Sequence, residues 1–124
     1  MPMATHPSSA HLAACADACM SCFAVCTRTF SQHCLHHGGD HLEHRHARLM
    51  LDCAEICRTS ATFLLRGSEF HQTTCRACAE VCAACATSCA QFTELEMQAC
   101  AAECRKCADS CQSMATAGRS REPT

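Results

Sequence analysis

The chain has 124 residues and a formal net charge of −2, the size of one domain, with no charge field that points to nucleic acid or an anionic membrane. Apolar residues make up 48% of it, but Ala supplies 22 of them and Cys 16, while Leu, Ile, Val and Phe together supply only 16. That leaves a core of sulfur and methyl groups, and the lack of Trp and Tyr, with Pro confined to positions 2, 7 and 123, disfavours a β-sandwich and permits long helices.

Met1 to Ala14 carries no basic start, twin arginine or continuous apolar stretch, so no export signal is read there, and residues 1–8 are expected to form a flexible N-terminus. Helix one is expected from Ser9 to His37, preceded by Pro7, capped by Ser8 or Ser9 and ended by Gly38-Gly39. Asp40 is positioned to cap helix two, which extends to about Arg66, and Gly67 suits a left-handed C-terminal position. Ser68 is expected to cap helix three, about Glu69 to Gln91. Thr93-Glu94-Leu95-Glu96 has the form of a capping box opening helix four, which lasts to about Ala115. Gly118 stops it, and residues 117–124 read as a disordered tail. The helices are ~30–45 Å long, and tight loops between them imply antiparallel neighbours. The expected fold is all-α, an antiparallel up-down-up-down four-helix bundle over residues 9–116. No window approaches the ~18 apolar residues of a membrane span, and the chain is read as cytoplasmic, where thiols stay reduced.

Three of these helices carry one internal repeat. Cys15, Cys19, Cys22 and Cys26 in helix one, Cys78, Cys82, Cys85 and Cys89 in helix three, and Cys100, Cys104, Cys107 and Cys111 in helix four are each spaced by 4, 3 and 4, which keeps them on one helical stripe. Cys75 extends the third set, and Met97 holds the equivalent place in helix four. Helix two has only Cys53 and Cys57, yet the same spacing run backwards reaches Met50 and His46, so its whole stripe consists of soft-metal ligand types. The opposite faces carry charges such as Asp17, Arg58, Glu80 and Arg105 and read as solvated surface. Phe23, Phe30, Leu49, Phe63, Leu64 and Phe92 flank the stripes and can seal the bundle without filling it.

A buried cysteine can serve as a small hydrophobe, but a packing core would use larger side chains and avoid reactive thiols. A secreted disulfide framework would be loop-rich and irregular, and these stripes are neither. If all sixteen thiols ionised, the interior would carry about −16, which desolvation forbids unless cations displace the protons. Soft thiolate sites select Cu(I), Zn(II) or iron–sulfur clusters. One Cu(I) per two thiolates leaves about −8 and one per thiolate leaves zero, so a dry core favours loading towards one Cu(I) per cysteine. Four Zn(II) sites using every cysteine would also leave about −8. A monovalent ion of low coordination number can be held by one Cys-x-x-x-Cys pair, whose Cβ atoms lie ~5–6 Å apart, whereas zinc needs four ligands brought together across helices. Iron–sulfur ligation favours loop motifs ending in Cys-Pro, and no cysteine here precedes a proline. Multiple Cu(I) ions fit best; zinc or general soft-metal buffering and an iron–sulfur or redox protein stay open as alternatives. No βαβ Cys-x-x-Cys context, Ser-His-Asp arrangement or glycine-rich phosphate loop is visible, so no enzyme is read.

Ala-rich helices with Cys-x-x-x-Cys-x-x-Cys-x-x-x-Cys resemble the bacterial copper storage proteins, a family of Cys-rich four-helix bundles, over about His11 to Met114. RLMLDCAEIC, from Arg48 to Cys57, and CRKCADSCQS, from Cys104 to Ser113, carry the resemblance most specifically. It implies Cu(I) storage inside the bundle with Cys-x-x-x-Cys pairs as principal ligands, protection of the cytosol from free copper, and a homotetramer; a copper chaperone is an expected partner. His46 and Met97 stand where further cysteines are expected in cytosolic members, which implies a lower capacity and some more weakly held ions.

Nine histidines are unevenly placed. His33, His37 and His46 project along the inward stripes at the helix one–two turn, and imidazole and thioether suit an entrance that must pass ions on. Either end can serve as the mouth; the His33, His37 and His46 end is preferred, with Met50 and Met97 beneath it. His36, His41 and His44 read as a solvated turn, while His11 and His71 fall on the stripes at the other end, near Met114. Cys34 lies about 100° round the helix from His33, off the stripe, and is as well suited to an interface.

Overall fold

The computed structural model describes residues 8–117. Four long helices account for most of them: α1 (Ser9–Thr29), α2 (His44–Leu65), α3 (His71–Cys89) and α4 (Leu95–Thr116). No strand occurs among the described residues. α1 packs against α2 and α4, and α3 against the same two, which closes an antiparallel up-down-up-down four-helix bundle. The expected flexible N-terminus and tail lie, apart from Ser8 and Ala117, outside the described residues, as does Gly118.

Ser8 caps α1, its Oγ accepting from the His11 amide at 3.2 Å. Beyond Thr29 the helix widens into a π turn over Phe30–Cys34 and closes with Leu35–His37 before Gly38 breaks it at φ 70°. A π turn accommodates one extra residue, so every side chain beyond it is rotated by about 100° from its α-helical position. Cys34 therefore takes the inward position expected of His33 and is fully buried, His33 is left half-buried, and His37 is exposed. The inward placement of His37 and the outward placement of Cys34 are both corrected by this single insertion.

Three of the expected caps do not form. Asp40 lies inside a short 3₁₀ turn, Gly39–Leu42, and Glu43 caps α2 instead, its carboxylate accepting from the Arg45 and His46 amides, each at 3.0 Å. Those hydrogen bonds, Arg45 first, hold the Glu43 carboxyl below its ordinary value. At the start of α4 the N-cap is Glu94 and not Thr93, so the expected capping box does not form; the Glu94 carboxylate makes no capping bond and meets two histidines from elsewhere in the chain. α2 ends as expected at Gly67, φ 63°, where the Gly67 amide bonds the Leu64 carbonyl and the Ser68 amide the Phe63 carbonyl, both at 3.0 Å. α3 starts at His71, two residues later than expected, because Ser68 Oγ accepts from the Phe70 amide in the preceding turn.

The core is built from small atoms. All sixteen cysteines are buried, with Ala16, Ala61, Ala79, Ala86, Ala101, Ala108 and Ala115 beside them. Among the described Leu, Ile, Val and Phe residues only Leu64 is fully buried; Leu12, Phe23, Phe30, Leu49 and Phe92 pack half-buried around the sulfur column. This apolarity has a further effect. The 29-residue stretch Ser9–His37 is long and apolar enough to cross a membrane by length and composition, which corrects the expectation that no window approaches a span. Cys and Ala supply much of that hydropathy, and the cysteine stripe of α1 faces the other helices of the bundle.

Leu64 is the one large aliphatic anchor, so Leu64→Ala is expected to lower stability by about 3 kcal/mol in thermal or denaturant unfolding of the reduced protein, far more than truncation of exposed Leu65.

Candidate metal centre

The 4, 3, 4 spacing on α1, α3 and α4 turns each cysteine row to the bundle axis, and α2 adds Cys53 and Cys57 opposite them. The result is a continuous column of sulfur. At one end stand Cys15, Cys75 and Cys111, followed by Cys19, Cys78, Cys107 and Cys111, then Cys22, Cys57, Cys82 and Cys107, then Cys22, Cys26, Cys53 and Cys104, each set with its sulfurs within 4.8 Å of one another. Cys26 reaches Cys100 at 3.8 Å, and Cys85 and Cys89 lie 4.0 Å apart. All sixteen thiols are free.

The shortest separations run between helices: 3.4 Å for Cys19–Cys111 and for Cys57–Cys82, 3.5 Å for Cys26–Cys104 and for Cys53–Cys82. The pairs within one helix are slightly wider, 3.7 Å for Cys78–Cys82 and 3.9 Å for Cys22–Cys26. A metal with arms of ~2.3 Å needs sulfurs about 3.8 Å apart in tetrahedral and about 4.0 Å in trigonal coordination, so both kinds of contact suit a bound ion with small adjustments. Cys22 and Cys107 each belong to two of the four-sulfur sets, and Cys111 belongs to one such set and the three-sulfur set. The sets cannot act as separate sites, because they share atoms.

Towards the α1–α2 turn the ligand chemistry changes. Met50 Sδ lies 3.3 Å from Cys89 Sγ and 3.8 Å from Cys85 Sγ. Cys34 Sγ lies 3.8 Å from Met97 Sδ and 3.9 Å from His46 Nε2, while His46 Nδ1 and Ser88 Oγ are hydrogen-bonded at 2.7 Å. Burial holds the His46 imidazole below its ordinary value and so keeps it neutral, with a lone pair to offer. Burial also pushes the Cys34 thiol up to about 11, with charge on Cys100, Glu94 and Cys85 adding to it, so Cys34 keeps its proton until a cation displaces it. Phe92 covers this group, its ring 4.8 Å from that of His46 and 4.2 Å from that of His41. A cleft of about 390 Å³ lined by Asp40, Glu43, His46, Ser88 and Phe92 reaches the same place from outside.

A family description covers nearly all of this chain: that of the copper storage proteins matches residues 8–116. The chain belongs to the copper storage protein family. Three solved structures share its fold. The Nmul_A1745 protein from Nitrosospira multiformis superposes with a TM-score of 0.84 at 48% identity, covering 88% of this chain and 98% of that one. The Cu(I)-bound copper storage protein BsCsp3 gives 0.79 at 35% identity over 85% and 98%, and the apo form of copper storage protein 3 from Bacillus subtilis gives 0.74 at 35% over 82% and 96%. The cysteine-rich protein YhjQ of Bacillus subtilis is 36% identical over 78 residues, 63% of this chain and 71% of its own length.

Within the bundle, the fifteen stripe cysteines, His46, Met50 and Met97 all lie in the buried column. His33 lies at its margin, bonded to Glu94, and His37 does not reach it. His11 keeps its place on the α1 stripe, four residues before Cys15, but is exposed because it sits in the open first turn of that helix. His71 is half-buried; its Nδ1–H donates to the Ser68 carbonyl at 2.8 Å, leaving Nε2 buried without a partner. His36 and His44 are exposed, whereas His41, expected in solvent, is buried against Phe92 by the 3₁₀ turn that carries it. Sequence spacing missed Cys34, because a π turn leaves no periodic signal, and Glu94, whose local pattern spelled a cap.

Glu94 Oε1 is bonded by His41 Nε2 at 2.6 Å and His33 Nε2 at 3.1 Å, which holds its carboxyl down to about 2, His41 contributing most. A lowered carboxylate stabilises the fold in full above its unfolded value of ~4.3 and loses that contribution as pH falls through the folded value. Glu94→Gln is therefore expected to lower the Tm at pH ~5, the gap to wild type closing as the pH falls to about 2; a gap unchanged between those pH values would place the stabilisation in another contact.

Proposed function

We propose that this chain stores Cu(I) as cargo in the sulfur column, many ions per molecule, and so keeps free copper low. The observation that carries the reading is the set of sixteen buried free thiols, most of them 3.4–4.0 Å from another sulfur, with Cys22, Cys107 and Cys111 each shared between two overlapping sets. Unloaded, such a core must stay protonated; each Cu(I) that replaces a thiol proton leaves the interior neutral. Shared sulfurs favour bridged monovalent ions over zinc, since separate tetrahedral zinc sites need ligand sets with no atom in common. The proposed ligands are the fifteen stripe cysteines together with Cys34, with Met50, Met97 and His46 holding ions more loosely at the α1–α2 end. Entrance at that end is supported by the cleft that reaches His46 and by the thioethers and imidazole grouped there. Storage in the cytoplasm, a homotetramer, delivery by a copper chaperone and the absence of catalysis complete the proposal, on the strength of the family resemblance and of thiols that need a reducing compartment.

Anaerobic titration of the reduced protein against a strong Cu(I) chelator tests it. Uptake is expected to approach about one Cu(I) per cysteine, with protons released in step; saturation near four Zn(II) with weak Cu(I) uptake would instead establish a zinc buffer. Cys107→Ala removes a sulfur shared by two sets and is expected to lower Cu(I) capacity by more ions than Cys34→Ala, measured by copper content after desalting.

A further inference from the structure

Outside the Phe92 ring, the same end of the bundle carries a second group of ligand atoms in which sulfur has no part. His33 comes from the π turn, His41 from the 3₁₀ turn and Glu94 from the start of α4, so three separate segments converge. Both imidazoles direct Nε2 to one carboxylate oxygen, at 3.1 and 2.6 Å, and the three ligand atoms lie within 4.8 Å of one another. A tetrahedral ion with arms of ~2.0 Å needs ligand atoms about 3.3 Å apart, which small movements of these side chains supply. Glu94 gives up its local role for this, since its carboxylate leaves the α4 amides uncapped in order to meet the histidines. The His37 ring, exposed and 4.0 Å from that of His41, stands within reach as a fourth ligand.

We propose that His33, His41 and Glu94 form a binding site for a first-row divalent cation of the Zn(II) class, separate from the thiolate column. Neutral imidazole and carboxylate are borderline and hard donors, poorly matched to Cu(I) and well matched to a divalent ion, and two imidazoles with one carboxylate leave a fourth position for His37 or water. The charge balance agrees: one carboxylate offsets half of the ion's charge at a site partly open to solvent through a cleft of about 400 Å³ lined by His37, His41, Phe92 and Glu94. The bound ion ties the end of α1 to the turns on either side of Phe92, the ring that covers His46. The site stands on its own geometry and does not depend on what the sulfur column holds.

Co(II), which replaces Zn(II) and shifts nearby proton resonances, is the probe. The reduced full-length protein is titrated with Co(II) past saturation of all sites, and proton NMR records strongly shifted, solvent-exchangeable imidazole N–H signals, which a thiolate ligand cannot give. Two such signals are expected to be lost one at a time in His33→Gln and His41→Gln, and Glu94→Gln is expected to weaken the Co(II) affinity of both by at least ~10-fold. Circular dichroism checks each variant; half-exposed His33 and Glu94 decide the matter if His41→Gln fails to fold. Absence of shifted signals that depend on His33, or an unchanged affinity in Glu94→Gln, would overturn the site and leave a hydrogen-bonded clasp. Copper uptake, measured separately, is unaffected by either result.

Discussion

A thiol buried among thiols can neither ionise nor find a strong hydrogen-bond partner, and sixteen of them on one axis set the terms for everything else in this molecule. Sulfur is a weak donor and a weak acceptor, so the metal-free column is held together chiefly by dispersion and by exclusion of water. The helices compensate by approaching closely over alanine, and the few phenylalanines and leucines are displaced to the flanks, where they shield the column from solvent. A cation that displaces protons turns the same arrangement from weakly cohesive to strongly bound, so loading and stability rise together.

Most of this was legible in the amino-acid order. The 4, 3, 4 repeat fixes three inward stripes by helical geometry alone, and running it backwards through Cys53 correctly brought Met50 and His46 into the core. Positions governed by contacts between segments were not legible. Glu94 sits in a sequence that spells a capping box, yet a carboxylate gains more from two imidazole donors than from amides that water can satisfy. His41 reads as a solvated turn residue because nothing local predicts that a 3₁₀ turn will lay it against Phe92. Glu43 outcompetes Asp40 as a cap because the turn consumes the residues that Asp40 would have started.

The two ends of the column differ in chemistry. Thiols predominate at the Cys15, Cys75 and Cys111 end, joined by the Ser60 hydroxyl 3.5 Å from Cys75 Sγ and by buried Met114, whereas thioether, imidazole and carboxylate succeed one another towards the α1–α2 turn. That order grades the bundle from soft donors in the middle to hard donors at the rim. If ions enter at this end as proposed, such a gradient would sort them by hardness, a monovalent soft ion passing through a layer that holds it weakly and a divalent ion stopping there.

The widened turn in α1 has a lasting consequence for how this lineage of sequences can vary. Because one surplus residue is absorbed by a single looser coil, losing it would return the segment to α-helical pitch with Cys34 still facing the axis and the residues beyond it still in register. A length change of one residue is thus taken up in the turn, and the sulfur keeps its depth.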